Sequence, residues 1–298
     1  PPNDAGAVLR SFSQWESERS TISATVYVMA AEVALYYAGR VPRWANEFCI
    51  YDYLIKGLEM GGVTNTRVIT PFIKRLLSGQ RISEAVKLLS AFEKHTPVRD
   101  PVILNMVLNG CVQLNMNTLA KDLLTEFKSS GDTVSYNTLL KGLSQCSAQG
   151  AMQEALNLLS EMKRTKVRAN VITYNTAMLV ACRSRQPRKH QVLFDLLKDM
   201  QSMGIEADKF TCSTVIKGLL IERNKSSNEF KTRFRALLGA VWKLGSLEAL
   251  QMKRSFTEAI LNLAASSGDH EVCNEAYDQL IHQFGGENNF QARFPNIC

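Results

Sequence analysis

Histidine and tryptophan are scarce in this chain, which has 4 His and 3 Trp in 298 residues. His95, His190, His270 and His282 are scattered, and none has a partner at metal-ligand spacing. The 7 cysteines are odd in number, far apart and without a Cys-x-x-Cys pair. That pattern suggests no zinc site and fits reduced thiols of the cytosol or an organelle better than a disulfide framework. No apolar run approaches the roughly 18 residues that a membrane span needs. The most apolar stretch, TVYVMAAEVALYYAG, is interrupted by Glu32 and reads as a buried helix. An aspartate cluster suited to a metal-dependent nuclease is missing, as is the H-x-E with P-C-x-x-C pattern of zinc deaminases. These absences point away from an enzyme: no catalytic residue, metal or cofactor is expected. No segment alternates apolar and polar residues as a half-buried strand does.

What is present is a repeat. VSYNTLLKGL (134–143) and ITYNTAMLVA (172–181) share a Tyr-Asn-Thr core, and Asn137 and Asn175 lie 38 residues apart. Ser213 in KFTCSTVIKGLL follows Asn175 by 38, Asn105 in PVILNMVLNGC precedes Asn137 by 32, and Thr70 in TRVITPFIKRL precedes Asn105 by 35. Self-similarity near a 35-residue period signals a solenoid of stacked supersecondary units. Each of these segments is followed by a second amphipathic pattern, as in EALNLLSEMKRTKVRAN and VLFDLLKDMQSMGIEAD, with apolar residues at i, i+3, i+4 and i+7. Gly79, Gly150 and Gly204 punctuate the turns. The expected fold is therefore all-α.

On a helical wheel Tyr136, Leu139, Leu140 and Leu143 form a packing stripe. Ser135, Thr138 and Gly142 form a strip of small residues that lets a neighbouring helix approach. Val134, Asn137 and Lys141 form a third face with no evident packing use, and Phe210, Ser213 and Lys217 repeat it. An apolar residue, a short polar residue and a cation on one face suit single-stranded nucleic acid. They would support a base face, bond a base edge and meet phosphate, respectively. The net charge of +7 and the pI near 9.0 permit such an anionic partner. The basic run RSRQPRKH (183–190) reads either as a solvated turn or as a docking point for phosphate or an acidic surface.

At these segments the sequence resembles the pentatricopeptide repeat family, most closely over about 101–220. The resemblance implies a right-handed α-solenoid of helix-turn-helix repeats of about 35 residues. It also implies that each unit reads one RNA base through two residues, the fifth of its first helix and the last before the next unit. Carried over, these are Thr70 with Asp100 for guanine, Asn105 with Asp132 for uracil, Asn137 with Asn170 for a pyrimidine, and Asn175 with Asp208 for uracil. Ser213 favours a purine, with its partner unlocated, so the implied target is roughly G-U-Y-U-R. Val102, Val134, Ile172 and Phe210 are the implied base-supporting residues, and Lys74, Lys141 and Lys217 the phosphate contacts. Leu179 stands where Lys74, Lys141 and Lys217 stand in three of the other units. Pro71 directly follows Thr70, which makes Thr70 an alternative helix N-cap.

Residues 66–245 are expected to hold the array, 1–65 and 246–284 degenerate helical regions, and 285–298 an extended tail. A break is expected at 39–42, and helices around 226–244, 247–266 and 270–284. The chain starts at Pro1 with no initiator Met, signal or transit peptide in view. The resemblance implies a mitochondrial or plastid location. Two roles follow: a non-catalytic RNA-binding protein acting in transcript stabilisation, processing or translation, or an architectural subunit of a large organellar assembly such as a mitochondrial ribosome, contacting its protein subunits or rRNA.

Overall fold

The computed structural model describes residues 5–19, 21–38, 47–61, 65–96, 100–146, 150–186, 189–220, 261, 265, 270–283 and 285–293. Among them every regular element is helical. The chain forms two compact units, Pro1–Leu139 and Leu140–Cys298.

The first unit opens with α1 (Ala5–Ser17), α2 (Ala24–Ala38) and α3 (Glu47–Glu59). Glu16 on α1 accepts from Tyr27 Oη at 2.8 Å and Lys56 Nζ at 3.0 Å, tying the three helices together. Then come two hairpins, α4 (Thr66–Ser78) with α5 (Ile82–His95), and α6 (Pro101–Gln113) with α7 (Asn117–Glu126). First helix packs on first helix, α4 against α6. Ile69, Phe72, Ile73 and Leu76 of α4 and Ile103, Leu104, Val107 and Leu108 of α6 are fully buried there. Burying such side chains contributes about 1.5–3 kcal/mol each. Gly110 permits the close approach of the hairpins, since a Cβ there would lie 2.6 Å from Leu77 Cδ2. A 3-10 turn at Lys128–Ser130 leads into α8 (Thr133–Gln145), within which the unit boundary falls.

The second unit continues with α9 (Ala151–Thr165), α10 (Val171–Arg183), α11 (Lys189–Ser202) and α12 (Lys209–Leu220). Again α10 packs on α12, with α9 and α11 as the second layer. Tyr174 is fully buried, and its hydroxyl donates to Asp199 at 2.7 Å; Lys163 Nζ holds the same carboxylate at 2.6 Å. One acid thus links α9, α10 and α11. Gly150 (φ 96°) and Gly204 (φ 68°) occupy left-handed turn positions that the punctuation pattern anticipates.

Four expectations meet the structure differently or fall outside it. Thr70 is not an N-cap: α4 starts five residues before Pro71, Asn65 caps it by accepting from the Arg67 amide at 2.9 Å, and Thr70 lies inside the helix. The tail expected to be extended forms α14 (Glu287–Arg293) after α13 (His270–Gln283). Gly285 and Gly286 turn the chain at φ 77° and 117°, and buried Phe290 packs edge-on against Tyr277 at 5.5 Å. The predicted break at 39–42 lies outside the described residues. So do the predicted helices at 226–244 and, but for residues 261 and 265, at 247–266.

Candidate nucleic-acid interface

Each repeat's first helix starts from a capped turn, and that cap builds the site. Asp132, Asn170 and Asp208 precede α8, α10 and α12, each with a hydroxyl residue three positions later, namely Ser135, Thr173 and Thr211. The cap oxygen accepts from the backbone amide of that residue, at 3.0 Å from Ser135, 3.0 Å from Thr173 and 2.8 Å from Thr211. The hydroxyl in turn accepts from the cap residue's own amide at 3.1 Å in all three. This reciprocal box satisfies two orphan donors at the helix start.

Onto two of these boxes the preceding first helix lowers an asparagine. In the first unit Asn105 Nδ2 donates to Asp132 Oδ1 at 3.1 Å, and Ser135 Oγ donates to Asn105 Oδ1 at 2.5 Å. In the second unit Asn175 Nδ2 donates to Asp208 Oδ1 at 2.9 Å, and Thr211 Oγ1 donates to Asn175 Oδ1 at 2.6 Å. The same three-residue cluster is therefore built twice, independently. Burial alone would raise both carboxyls. The amides of Ser135 and Thr211, then the Asn side chains and the hydroxyls, outweigh it and hold Asp132 and Asp208 below the usual carboxylate range. Each Asn uses one N–H and one lone pair inside the cluster, which leaves one donor and one acceptor of its amide uncommitted by it.

The Thr70 unit departs from this pattern. Asp100 caps α6 through the Val102 amide at 3.0 Å, but its other oxygen accepts from Thr66 at 3.0 Å. The Thr70 hydroxyl turns back to the Thr66 carbonyl at 2.7 Å. The third residue of α6 is the buried Ile103, so this box has no hydroxyl. The structure thus brings Asp100 to Thr66, and the Thr70–Asp100 pairing has no direct bond.

The second position of α6, α8, α10 and α12 is apolar and exposed: Val102 at 45 %, Val134 at 55 %, Ile172 at 58 % and Phe210 at 62 %. Exposure this high on four equivalent apolar residues has no packing rationale. In α4 the position holds exposed Arg67. Lys74 and Lys141 are exposed, Leu179 is half-buried, and the Lys217 side chain lies outside the described residues. Asn137 and Ser213 are half-buried and Asn170 caps α10. The basic run is only partly a solvated turn, because Arg183 donates to the Ser144 carbonyl and Lys189 is buried.

The hydroxyls of Ser135 and Thr211, which the helical wheel places on a strip of small residues, close caps instead, as does that of Thr173. A signal for them exists: Asp/Asn-x-x-Ser/Thr recurs at 132, 170 and 208, at the same 38-residue interval as the Asn. Among the described residues no group of His, Cys, Asp or Glu could hold a metal ion, and no helix is long and apolar enough to cross a membrane.

The PPR repeat family model matches residues 131–183. A chloroplastic pentatricopeptide repeat-containing protein of Arabidopsis thaliana is 29% identical over 160 residues, 52% of this chain and 18% of its own length. The chloroplastic pentatricopeptide repeat-containing protein 10 of Zea mays is 36% identical over 85 residues, 28% of this chain and 10% of its own. The matched stretch therefore spans less than a fifth of either relative. The crystal structure of the maize pentatricopeptide repeat protein PPR10 covers 92% of this chain and 41% of that one, at 16% identity and a TM-score of 0.51, a likeness of fold. That fold is an α-solenoid of stacked helix-turn-helix repeats, and within it residues 131–183 match the pentatricopeptide repeat family.

Proposed function

We propose that the first-helix faces carrying Asn105 and Asn137 in one unit and Asn175 in the other bind single-stranded RNA, one base per repeat, in a plastid. The observation that carries this reading is the twice-built cluster: a half-buried amide, anchored at both ends and lying on the same helix as an exposed apolar residue. The apolar residue, Ile172 beside Asn175 or Val102 beside Asn105, supports a base face. The amide offers one donor and one acceptor to the base edge. An aspartate presents only acceptors, so Asp132 and Asp208 force the Nδ2 side of each Asn toward themselves. That fixes the order of donor and acceptor along the amide, and uracil and cytosine differ in the order in which their edges present these groups.

The two aspartates are ionised, so phosphate is repelled from each cluster, and the exposed Lys74 and Lys141 offer it cations. Three of the relatives bear chloroplastic names, which supports the plastid assignment. Related structures include PPR10 of maize in complex with an 18-nucleotide psaJ RNA element. The role that follows is transcript stabilisation, processing or translation, carried out without chemistry by this segment.

The test is binding of the chain to 5′-GUUUA and to a scrambled strand across a salt series. The expected outcome is tighter binding of GUUUA at every salt concentration, with affinity for both falling as salt rises. Equal, weak, salt-sensitive binding to both strands would refute sequence-selective recognition.

A further inference from the structure

The hydroxyl at the third position of each following helix does more than close a cap. We propose that Ser135 and Thr211 are specificity-positioning residues: they anchor the Asn105 and Asn175 amides at a second point and so let each amide tell uracil from cytosine. The inference rests on the reading that this face binds RNA.

Held only by Nδ2 on the aspartate, a side-chain amide pivots about that one hydrogen bond, and the direction of its free donor and acceptor is undefined. A second bond at Oδ1 fixes the amide plane. Thr211 Oγ1 supplies it at 2.6 Å and Ser135 Oγ at 2.5 Å. A hydroxyl has one proton, and two acceptors compete for it: Asn Oδ1 and the aspartate Oδ1, the latter 2.9 Å from Thr211 Oγ1 and 3.0 Å from Ser135 Oγ. The aspartate oxygen is already crowded. Asp208 Oδ1 accepts from the Phe210 amide at 3.0 Å, the Thr211 amide at 2.8 Å and Asn175 Nδ2 at 2.9 Å. The proton therefore goes to the shorter contact, the Asn oxygen, and the hydroxyl lone pair takes the cap amide. Both hydroxyl residues are fully buried, so no water substitutes for them at that point. The polarity of the whole chain, carboxylate to amide N–H and hydroxyl to amide C=O, leaves one orientation of the base-reading edge. The Thr70 unit serves as the internal contrast, since Ile103 stands at the third position and Asp100 engages Thr66 instead.

The experiment uses the full chain and RNAs in which the second or the fourth nucleotide of 5′-GUUUA is changed from U to C. The ratio of affinities, U over C, is read at each position. Thr211→Val keeps the shape and removes the hydroxyl; it is expected to lower the ratio at the fourth nucleotide by about fivefold, the size of one hydrogen bond, while leaving the ratio at the second unchanged. Ser135→Ala is expected to do the reverse, and so tests the idea if Thr211→Val fails to fold. Thr211→Ser retains the hydroxyl and is expected to retain the ratio. A Thr211→Val protein that loses affinity for U and C strands equally has lost only a cap, which overturns the inference and leaves RNA binding standing. An unchanged ratio overturns it in the same way. A wild-type chain that does not discriminate U from C at either position overturns the inference and the reading beneath it together.

Discussion

Replacing Asp208 tests the cluster without any RNA. The Asp208 carboxylate accepts from the Phe210 and Thr211 amides at 3.0 and 2.8 Å and from Asn175 Nδ2 at 2.9 Å. Asp208→Ala removes the N-cap of α12, which costs about 1 kcal/mol. It also strips the charged acceptor from Asn175, worth about another 1 kcal/mol after discounting for the half-buried site. The sum, about 2 kcal/mol, corresponds to an exchange rate about thirtyfold higher for hydrogens protected by α12 opening. Native-state hydrogen exchange at the Phe210 and Thr211 amides measures it, with the amides of α6 as an unaffected reference. Asp208→Asn keeps an equally good cap and is expected to change the rate only two- to threefold, about 0.5 kcal/mol, at pH 7. Acid separates the two further. The Asp208 pKa is lowered in the folded chain, so its contribution is complete above the unfolded value near 3.9 and is lost as pH falls through the lower folded value. Wild type therefore loses this local protection below about pH 3.9, whereas Asp208→Asn does not. Exchange in Asp208→Ala within twofold of wild type, or equal acid sensitivity in wild type and Asp208→Asn, would refute the reasoning.

Three further outcomes follow from the packing. Gly218→Ala puts a Cβ 2.6 Å from Cys182 Sγ and 2.9 Å from Leu193 Cδ1; overpacking of about 1–3 kcal/mol exceeds the helix-propensity gain of about 1 kcal/mol, and thermal unfolding is expected to start earlier. Tyr174→Phe removes the bond to Asp199 and is expected to lower stability by about 1 kcal/mol in urea unfolding, with the same change silent when Asp199 is already Ala. Burial pushes the Cys111 thiol up to about 11 and the Cys182 thiol up to about 12, so at pH 8 iodoacetamide is expected to modify half-buried Cys146 and Cys273 while sparing those two. Peptide mapping by mass spectrometry reads the order.

The sequence carried the fold class and much of the site because both are periodic. Tyr136 and Tyr174 pack as the wheel requires, at 1 % and 0 % exposure, and the second-position apolar residues stand out in solvent. The pairings of Asn105 with Asp132 and Asn175 with Asp208 become direct hydrogen bonds. What periodicity hides is the difference between a small side chain used for its size and one used for its proton. Ser135 and Thr211 share a wheel strip with Gly142 and Gly218, and the strip is mixed: Gly218 permits close approach, Thr138 bonds back to the Val134 carbonyl at 2.8 Å, and Ser135 closes a cap. Only the cap offset, three residues after Asp or Asn, separates these jobs, and that offset belongs to the helix start, not to the wheel.

The Thr70 unit marks the same limit from the other side. The resemblance assigns it two base-reading residues by position, yet position does not fix geometry where the supporting groups change. With isoleucine in place of the third-position hydroxyl, the Asp100 carboxylate makes no bond to Thr70. Thr66, one turn before Thr70, takes the carboxylate, and Thr70 spends its hydroxyl on its own helix. The pairs Asn105–Asp132 and Asn175–Asp208, read along the chain as two residues, are each a three-residue arrangement in space. Where the third residue is absent, the other two are placed by the local capping chemistry alone.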